Sequence, residues 1–353
     1  MNRSANDSII QPNEQILITG SNGFIGTRLV QALIEHGFRN LRCLVRSRNN
    51  RTEGLFELVR RHPDVRLDVV EGNLISRADA ARVAAGAVVV YHLAAGMEKS
   101  FPGSFLNTVV TTRNLLDEVC GSGVLKRFVN VSSLAVYTNR RLRRHAMLDE
   151  ACELESHLVE RDEPYVYAKL KQDELVLAYG GKRGLPFVIL RPGAVYGPGK
   201  PDLTSRVGIG TFGIYLHLGG RNQIPFTHVI NCADAIALAG FRCGIDGQTF
   251  NVIDDDLPTS SQFWSGYRRH VGRKAYLPVP YPVFYAFCAL WEKYARWSEG
   301  QIPAAFNRAR CSAYWKGNRY SNQKLKELLQ WQPTISYQEG VRGYYEYLRA
   351  QVS

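Results

Sequence analysis

Short runs of apolar residues alternate with segments whose apolar positions recur every three to four residues, and this rhythm organises the first half of the chain. Residues 16–18 (Ile, Leu, Ile) form an apolar run closed by Gly20, the pattern of a parallel strand buried on both faces. An amphipathic helix is predicted from Phe24 to His36. Further strands are predicted over 41–45, 65–70, 87–95, 127–133 and 187–190. The third leads to a polar tip at Glu71 to Asn73, the fourth ends in small residues, and the fifth stops on Ser132 and Ser133. Helical stretches run through Asn107, Thr112, Leu115 and Leu116, and from Pro164 to about Tyr179.

Strands separated by helices, without an internal repeat, predict an α/β fold: a Rossmann-type doubly wound parallel sheet with right-handed crossovers. Residues 15–190 are expected to form its dinucleotide-binding part, behind a flexible polar tail over 1–14 that lacks a signal-peptide core. Beyond Lys200 the rhythm loosens. Helices are predicted near 234–241, 282–297, 322–329 and 337–349, and residues 191–353 read as a smaller, mainly substrate-binding lobe from which the chain has room to cross back to the sheet.

The candidate chemistry starts at Gly20, Gly23 and Gly26, three apart between a strand and a helix. The first allows a tight turn, the second lets a ligand approach the backbone, and the third lets helix and strand pack closely. The helix N-terminus then offers unpaired N–H groups to a pyrophosphate. The second strand ends in Arg46 and Arg48, with no Asp or Glu between Asn40 and Arg51. An acidic residue there would bond a ribose 2′-hydroxyl, whereas arginine pairs with a 2′-phosphate, so the composition favours NADP over NAD.

Tyr165 and Lys169 lie four apart, on one helical face. A phenol titrates near 10, so working at neutral pH calls for a cation one turn away, and Ser133 can hold the substrate oxygen while Tyr165 moves a proton. Tyr167 and Lys171 repeat the spacing on nearly the opposite face; Pro164 at the helix entry favours the first pair.

The chain carries 44 Lys and Arg against 32 Asp and Glu among its 353 residues, a net charge of +12 that suits anionic ligands or surfaces. The arginine run over 140–144 has no nucleic-acid-binding signature beside it and reads as a solvated loop, so no nucleic-acid partner is expected. Seven scattered cysteines without C-x-x-C pairs fit a reducing, cytoplasmic setting and no metal site. The uncharged stretch from Ala275 to Trp291 is broken by Pro278, Pro280 and Pro282, too short to span a bilayer, which leaves a peripheral membrane contact open. Its neighbourhood is rich in aromatics: Phe212, Tyr215, Tyr281, Phe284, Tyr285, Phe287, Trp291, Tyr294 and Trp297. Core packing, a lid over a lipophilic substrate and a membrane-surface helix all fit the apolar stripe among them.

From Ile16 to about Arg349 these pieces resemble the extended short-chain dehydrogenase/reductase superfamily. The motifs are the glycine turn, His92 to Ala95, Asn107, Val131 to Ser133, Tyr165-x-x-x-Lys169, the segment Arg191 to Pro198, and a closing stretch from Ser321 to Pro333. The resemblance implies Ser133 as catalytic serine, Tyr165 as acid/base, Lys169 on the nicotinamide ribose and lowering the tyrosine pKa, and Asn107 in a proton relay. It implies cofactor contacts from Gly20, Asn22, Gly23, Phe24, Ile25 and Gly26 in the turn. Others are expected from Arg46, Arg48, Asn73, Leu74, Leu93, Ala94, Ala95, Val131, Pro192, Gly193 and Val195. Asn73 stands where the family usually has aspartate, and Asp234 where it often carries a structural one. Homodimers through the helices flanking the sheet are common in the superfamily.

Leu134 and Ala135 occupy the places where its dehydratases carry Asp-Glu, and Arg191-Pro-Gly looks like relatives of 3β-hydroxysteroid dehydrogenase and dihydroflavonol reductase. The expected activity is hydride transfer between NADP(H), or NAD(H), and a carbonyl or secondary alcohol of a hydrophobic small molecule. A nucleotide-sugar epimerase retaining NAD is the alternative, and a catalytically silent cofactor sensor a third reading.

Overall fold

A computed structural model describes residues 8–201, 203–211, 213–299, 301 and 306–351. Phe212, counted above among the aromatics, and the first half of the expected tail lie outside them. Seven strands form one parallel sheet: β1 (Ile16–Thr19), β2 (Asn40–Val45), β3 (Arg66–Glu71), β4 (Val89–His92), β5 (Arg127–Val131), β6 (Phe187–Pro192) and β7 (Gln248–Val252). Their order is β7-β6-β5-β4-β1-β2-β3. The direction of winding reverses between β1 and β4, and in such sheets the crevice at the carboxyl end of that pair receives ligands.

Alternation along β1 sends its side chains to two cores. Ile16 and Ile18 join Leu29, Leu33 and Ile236 on one face, and Leu17 joins Val90, Leu116, Phe128 and Val176 on the other. Each such buried aliphatic contributes about 1.5–3 kcal/mol. The first face is covered by α1 (Phe24–Glu35); the second by α2 (Thr111–Gly121) and α3 (Pro164–Arg183). Returning from beyond residue 190, α4 (Val229–Phe241) packs along α1, and β7 closes the sheet beside β6. Asp234 binds His36 Nε2 at 2.7 Å across that helix pair, a structural tie. Arg127, fully buried on β5, donates to the carbonyls of Ala239 and Arg242 at the end of α4, where the helix dipole favours a cation.

Residues 8–14 do not behave as a tail. Ile10 is buried in the core and Ile9 N donates to Phe241 O at 2.8 Å. An isolated pair of isoleucines carries no periodicity, so only the polar composition around them registers in the sequence.

The smaller lobe is built on a three-stranded sheet of Gly208–Thr211, Ile214–His217 and Tyr276–Pro278. Around it lie α5 (Tyr281–Trp297), α6 (Arg308–Trp315) and α7 (Tyr337–Ala350). Among the described residues no helix is long and apolar enough to cross a membrane.

The turn between β1 and α1 tolerates no side chain at its third glycine. A Cβ on Gly26 would sit 2.1 Å from Gly20 O and 2.8 Å from Ser21 Cα, and Gly20 itself has φ +70°. Gly181, on the exposed side of α3, has nothing within 4 Å of such a Cβ. Gly26→Ala is therefore expected to destabilise the fold by about 2 kcal/mol or more and to abolish dinucleotide binding. Gly181→Ala should stabilise it by about 0.5–1 kcal/mol. Thermal unfolding of the two variants reads the opposite signs directly.

Candidate active site

Helix α1 begins at Gly23, whose N-cap position has no side chain to satisfy the first amides of the helix. Those amides and the positive end of the helix dipole face a cavity of about 600 Å³. Gly20, Gly23, Phe24, Ile25 and Gly26 line it, together with Leu93, Ala95 and Val131 and with Ser133, Tyr165 and Lys169. Pro192, Gly193 and Val195 line it too. A bare-backbone turn, open amides and an adjoining elongated space fit a dinucleotide.

Pro164 occupies the first turn of α3, where its missing N–H costs nothing. From there Tyr165, Lys169 and Asp173 follow at steps of four along one face. Tyr167 faces away, its ring 5.5 Å from that of Phe101, and Lys171 pairs with Glu174 at 2.7 Å. The first register thus faces the cavity.

Strand β5 ends on two serines with different duties. Ser132 Oγ donates to Asp173 Oδ2 at 2.9 Å beneath the site. Ser133 Oγ accepts Ala135 N at 3.2 Å, and Ser133 acts on the Tyr165 phenol to lower its pKa. Lys169 Nζ donates to Val131 O at 2.7 Å and Gln172 Oε1 at 3.0 Å. Burial pushes the ammonium down to about 8, against the pull of Asp173.

The phenol moves in the direction opposite to the sequence expectation. Burial raises its pKa above the ordinary value, Ser133 opposes the rise, and the carboxylate of Asp173 adds to it. Burial is the main reason; beside it, Lys169 donates to Val131 and Gln172, and the buried Asp173 carboxylate stands further along the same face.

Below this row is a buried polar layer. Asp173 also accepts Asn130 Nδ2 at 2.9 Å and Arg191 Nη2 at 3.1 Å. The Arg191 guanidinium lies 4.8 Å from the Tyr137 ring centre, and Tyr137 donates to Asn251 Oδ1 at 2.9 Å. A second chain of bonds joins Gln172, Thr112, His92 and Thr19, and Thr19 Oγ1 accepts Ala94 N at 3.2 Å. Burial holds His92 down at about 3, hence neutral.

Several expected contacts do not line the cavity. Asn107 sits in a π-turn over Leu106–Val110 and spends its amide on Glu98 Oε1 (2.8 Å) and Gly103 O (3.2 Å) rather than reaching Lys169. Arg46 leans on Asn107 Oδ1 at 3.5 Å, and Arg48 donates to Val69 O at 3.1 Å. Arg51 lines the cavity in their place. Asn73 closes a local turn onto Ile75 N, and Leu74 is core, its carbonyl held by Asn114. Asn22 is half-buried beside the turn without lining the cavity, and Ala94 contributes a backbone amide to Thr19.

Sequence reading missed Asp173, Gln172 and the far-end residues Phe226, Phe263 and Tyr344. The first two were within reach, because Asp173 continues the four-residue step of Tyr165 and Lys169. The three aromatics come from separate elements that only the tertiary fold gathers.

The profile of the NAD dependent epimerase/dehydratase family matches residues 16–252. The chain belongs to that family. It is thus an NAD(P)-dependent enzyme of the extended short-chain dehydrogenase/reductase type. Among curated members, 3beta-hydroxysteroid-dehydrogenase/decarboxylase isoform 1 of Arabidopsis thaliana is 25% identical, over 95% of this chain and 80% of its own. The UDP-glucose 4-epimerase of Vibrio cholerae is 29% identical over 68% of this chain and 71% of its own. A solved UDP-glucuronic acid 4-epimerase from Bacillus cereus, in complex with UDP-glucuronic acid and NAD, shares the fold. Its TM-score is 0.71 at 22% identity, covering 96% of this chain and all of that one.

Because Lys169 titrates at about 8, its charge is lost as pH rises through that value. The dissociation constant for the dinucleotide is expected to rise several-fold between about pH 7 and pH 9. The Lys169→Met variant should show a flat profile, read by quenching of tryptophan fluorescence. A level wild-type curve would remove the ammonium from cofactor binding.

Proposed function

We propose that the enzyme transfers a hydride between NADP(H) and a carbonyl or secondary alcohol of an apolar small molecule. The observation that carries this reading is that Ser133, Tyr165 and Lys169 line the same cavity as the glycine turn. A nicotinamide bound there would supply the hydride or accept it. In the reductive direction, Ser133 holds the carbonyl oxygen and Tyr165 gives it the phenolic proton, so the carbonyl becomes an alcohol. Lys169 orients the ribose and offsets the charge left on the phenolate; a proton from solvent restores the phenol.

The preference for NADP rests on Arg51, which lines the cavity beyond β2, and on the absence of a carboxylate between residues 40 and 51. The apolar substrate class rests on Leu203, Phe226, Phe263 and Tyr344 at the far end of the cavity. The alternative, a nucleotide-sugar epimerase, draws support from the Vibrio cholerae relative. It predicts NAD held through purification and turnover of UDP-sugars without added cofactor. Exposed Phe105, Leu106 and, on α3, Leu177 support a homodimer through the helices that flank the sheet, and the scattered cysteines support a cytoplasmic setting.

Tyr165→Phe keeps the ring and removes the proton. It is expected to lower kcat about a thousandfold or more while leaving the NADPH dissociation constant within about threefold, by stopped-flow reduction of a panel of lipophilic ketones and by calorimetry. Unchanged turnover would take Tyr165 out of the chemistry.

A further inference from the structure

Helix α5 has two apolar faces, and among the described residues one is buried and the other largely exposed. Phe284, Cys288 and Ala295 are buried, the first two packed with Leu218 and Trp315. On the other side Val283, Phe287, Leu290, Tyr294 and Trp297 are exposed at 59, 41, 66, 48 and 76%. Their spacing of four, three, four and three makes a single continuous stripe along 17 residues. Single exposed apolar residues are ordinary; an aromatic stripe of this length marks a docking surface.

The small sheet that α5 packs on carries further exposed apolar residues. Leu277 pairs with Leu216 across the strands, Ile214 shares that sheet face, and Leu216 packs in the same cluster as Phe284. Leu277 and Ile214 are themselves 54 and 47% exposed.

Charge selects the occupant. Between Arg268 and Glu299 the sequence has six Lys or Arg and two acidic residues, and Glu292 is taken by Arg308 at 2.8 Å. Lys293 and Arg296 are exposed on α5, and Arg269, Arg273 and Lys274 lie exposed just before the Tyr276–Pro278 strand. A second copy docked on this face about a two-fold axis would press like-charged flanks together. An anionic lipid surface meets both features, taking the apolar stripe between its headgroups and the cations against its charge.

We propose that α5 lies in the plane of an anionic bilayer and seats the enzyme on it. The contact reaches the cavity through one ring: Phe284 packs edge-on against Trp315 at 5.4 Å, and Trp315 Nε1 donates to the carbonyl of Ser205, which lines the cavity. The docking itself does not depend on which reaction the site performs.

The test is co-sedimentation of the full chain with vesicles of phosphatidylcholine, alone or mixed with phosphatidylglycerol. The expected result is binding to the mixed vesicles that weakens with salt, and binding reduced at least about tenfold in Leu290→Glu/Trp297→Glu. Lys293→Gln/Arg296→Gln should lose binding to the mixed vesicles alone. Because these side chains are exposed, the thermal midpoint and dinucleotide affinity should stay at wild-type values in both variants. Failure of the wild type to bind mixed vesicles would overturn the proposal, as would binding untouched by the Leu290/Trp297 variant. So would a wild-type dimer that this variant dissociates, which would assign the stripe to a second copy.

Discussion

One buried carboxylate holds α3 at its height over the sheet edge. Asp173 is fully buried, and taking its charge out of water is expensive unless every lone pair finds a donor. It finds Asn130 and Ser132 on and just beyond β5, and Arg191 on β6. These bonds come from the sheet, so they fix both the rotation and the axial position of the helix. Tyr165 and Lys169, two turns and one turn back along the same face, are placed over the cavity by that anchor. Losing it would leave Arg191 buried without a counter-charge, a disruption on the order of 3–5 kcal/mol.

The second chain of bonds has a definite direction, which can be deduced from the donor inventory. Thr112 has one hydroxyl proton, and Thr108 O takes it at 2.6 Å. Thr112 must then accept from both Gln172 Nε2 and His92 Nε2, so His92 carries its proton on Nε2 and accepts from Thr19 at Nδ1. Thr19 in turn is the acceptor for Ala94 N–H. Every group is matched with His92 neutral. The chain is a scaffold rather than a proton path, linking the lysine at the site to the Leu93–Ala95 segment that lines the cavity.

The fold was legible because it rests on local patterns. Buried parallel strands are short unbroken apolar runs, and the glycine turn and Tyr165-x-x-x-Lys169 announce themselves by spacing. What the sequence hid is non-local. β7 completes the sheet from beyond residue 190, and its Gln248–Val252 segment is too polar at one end to read as a buried strand. Arg46, Arg48 and Asn107 sit at the expected positions in the chain. Their side chains are drawn to nearby carbonyls and amides, a competition that spacing cannot reveal. The dipole of the α1 N-terminus, by contrast, follows from backbone alone and was readable in full.

The electrostatics of the cavity bear on which way a proton moves. Burial and Asp173 hold the Tyr165 phenol above the ordinary range, and Ser133 only partly offsets them. Under the proposed function, the protonated phenol is the form that would give its proton to a carbonyl. Oxidising an alcohol requires the phenolate, and hence more positive charge beside the ring than Lys169 provides while bound to Val131 and Gln172. Burial already draws Lys169 down to about 8, where its charge is easily lost. In the proposed reduction the phenolate left when Tyr165 gives up its proton needs the Lys169 ammonium beside it, so the step is served while that lysine keeps its charge, below about pH 8.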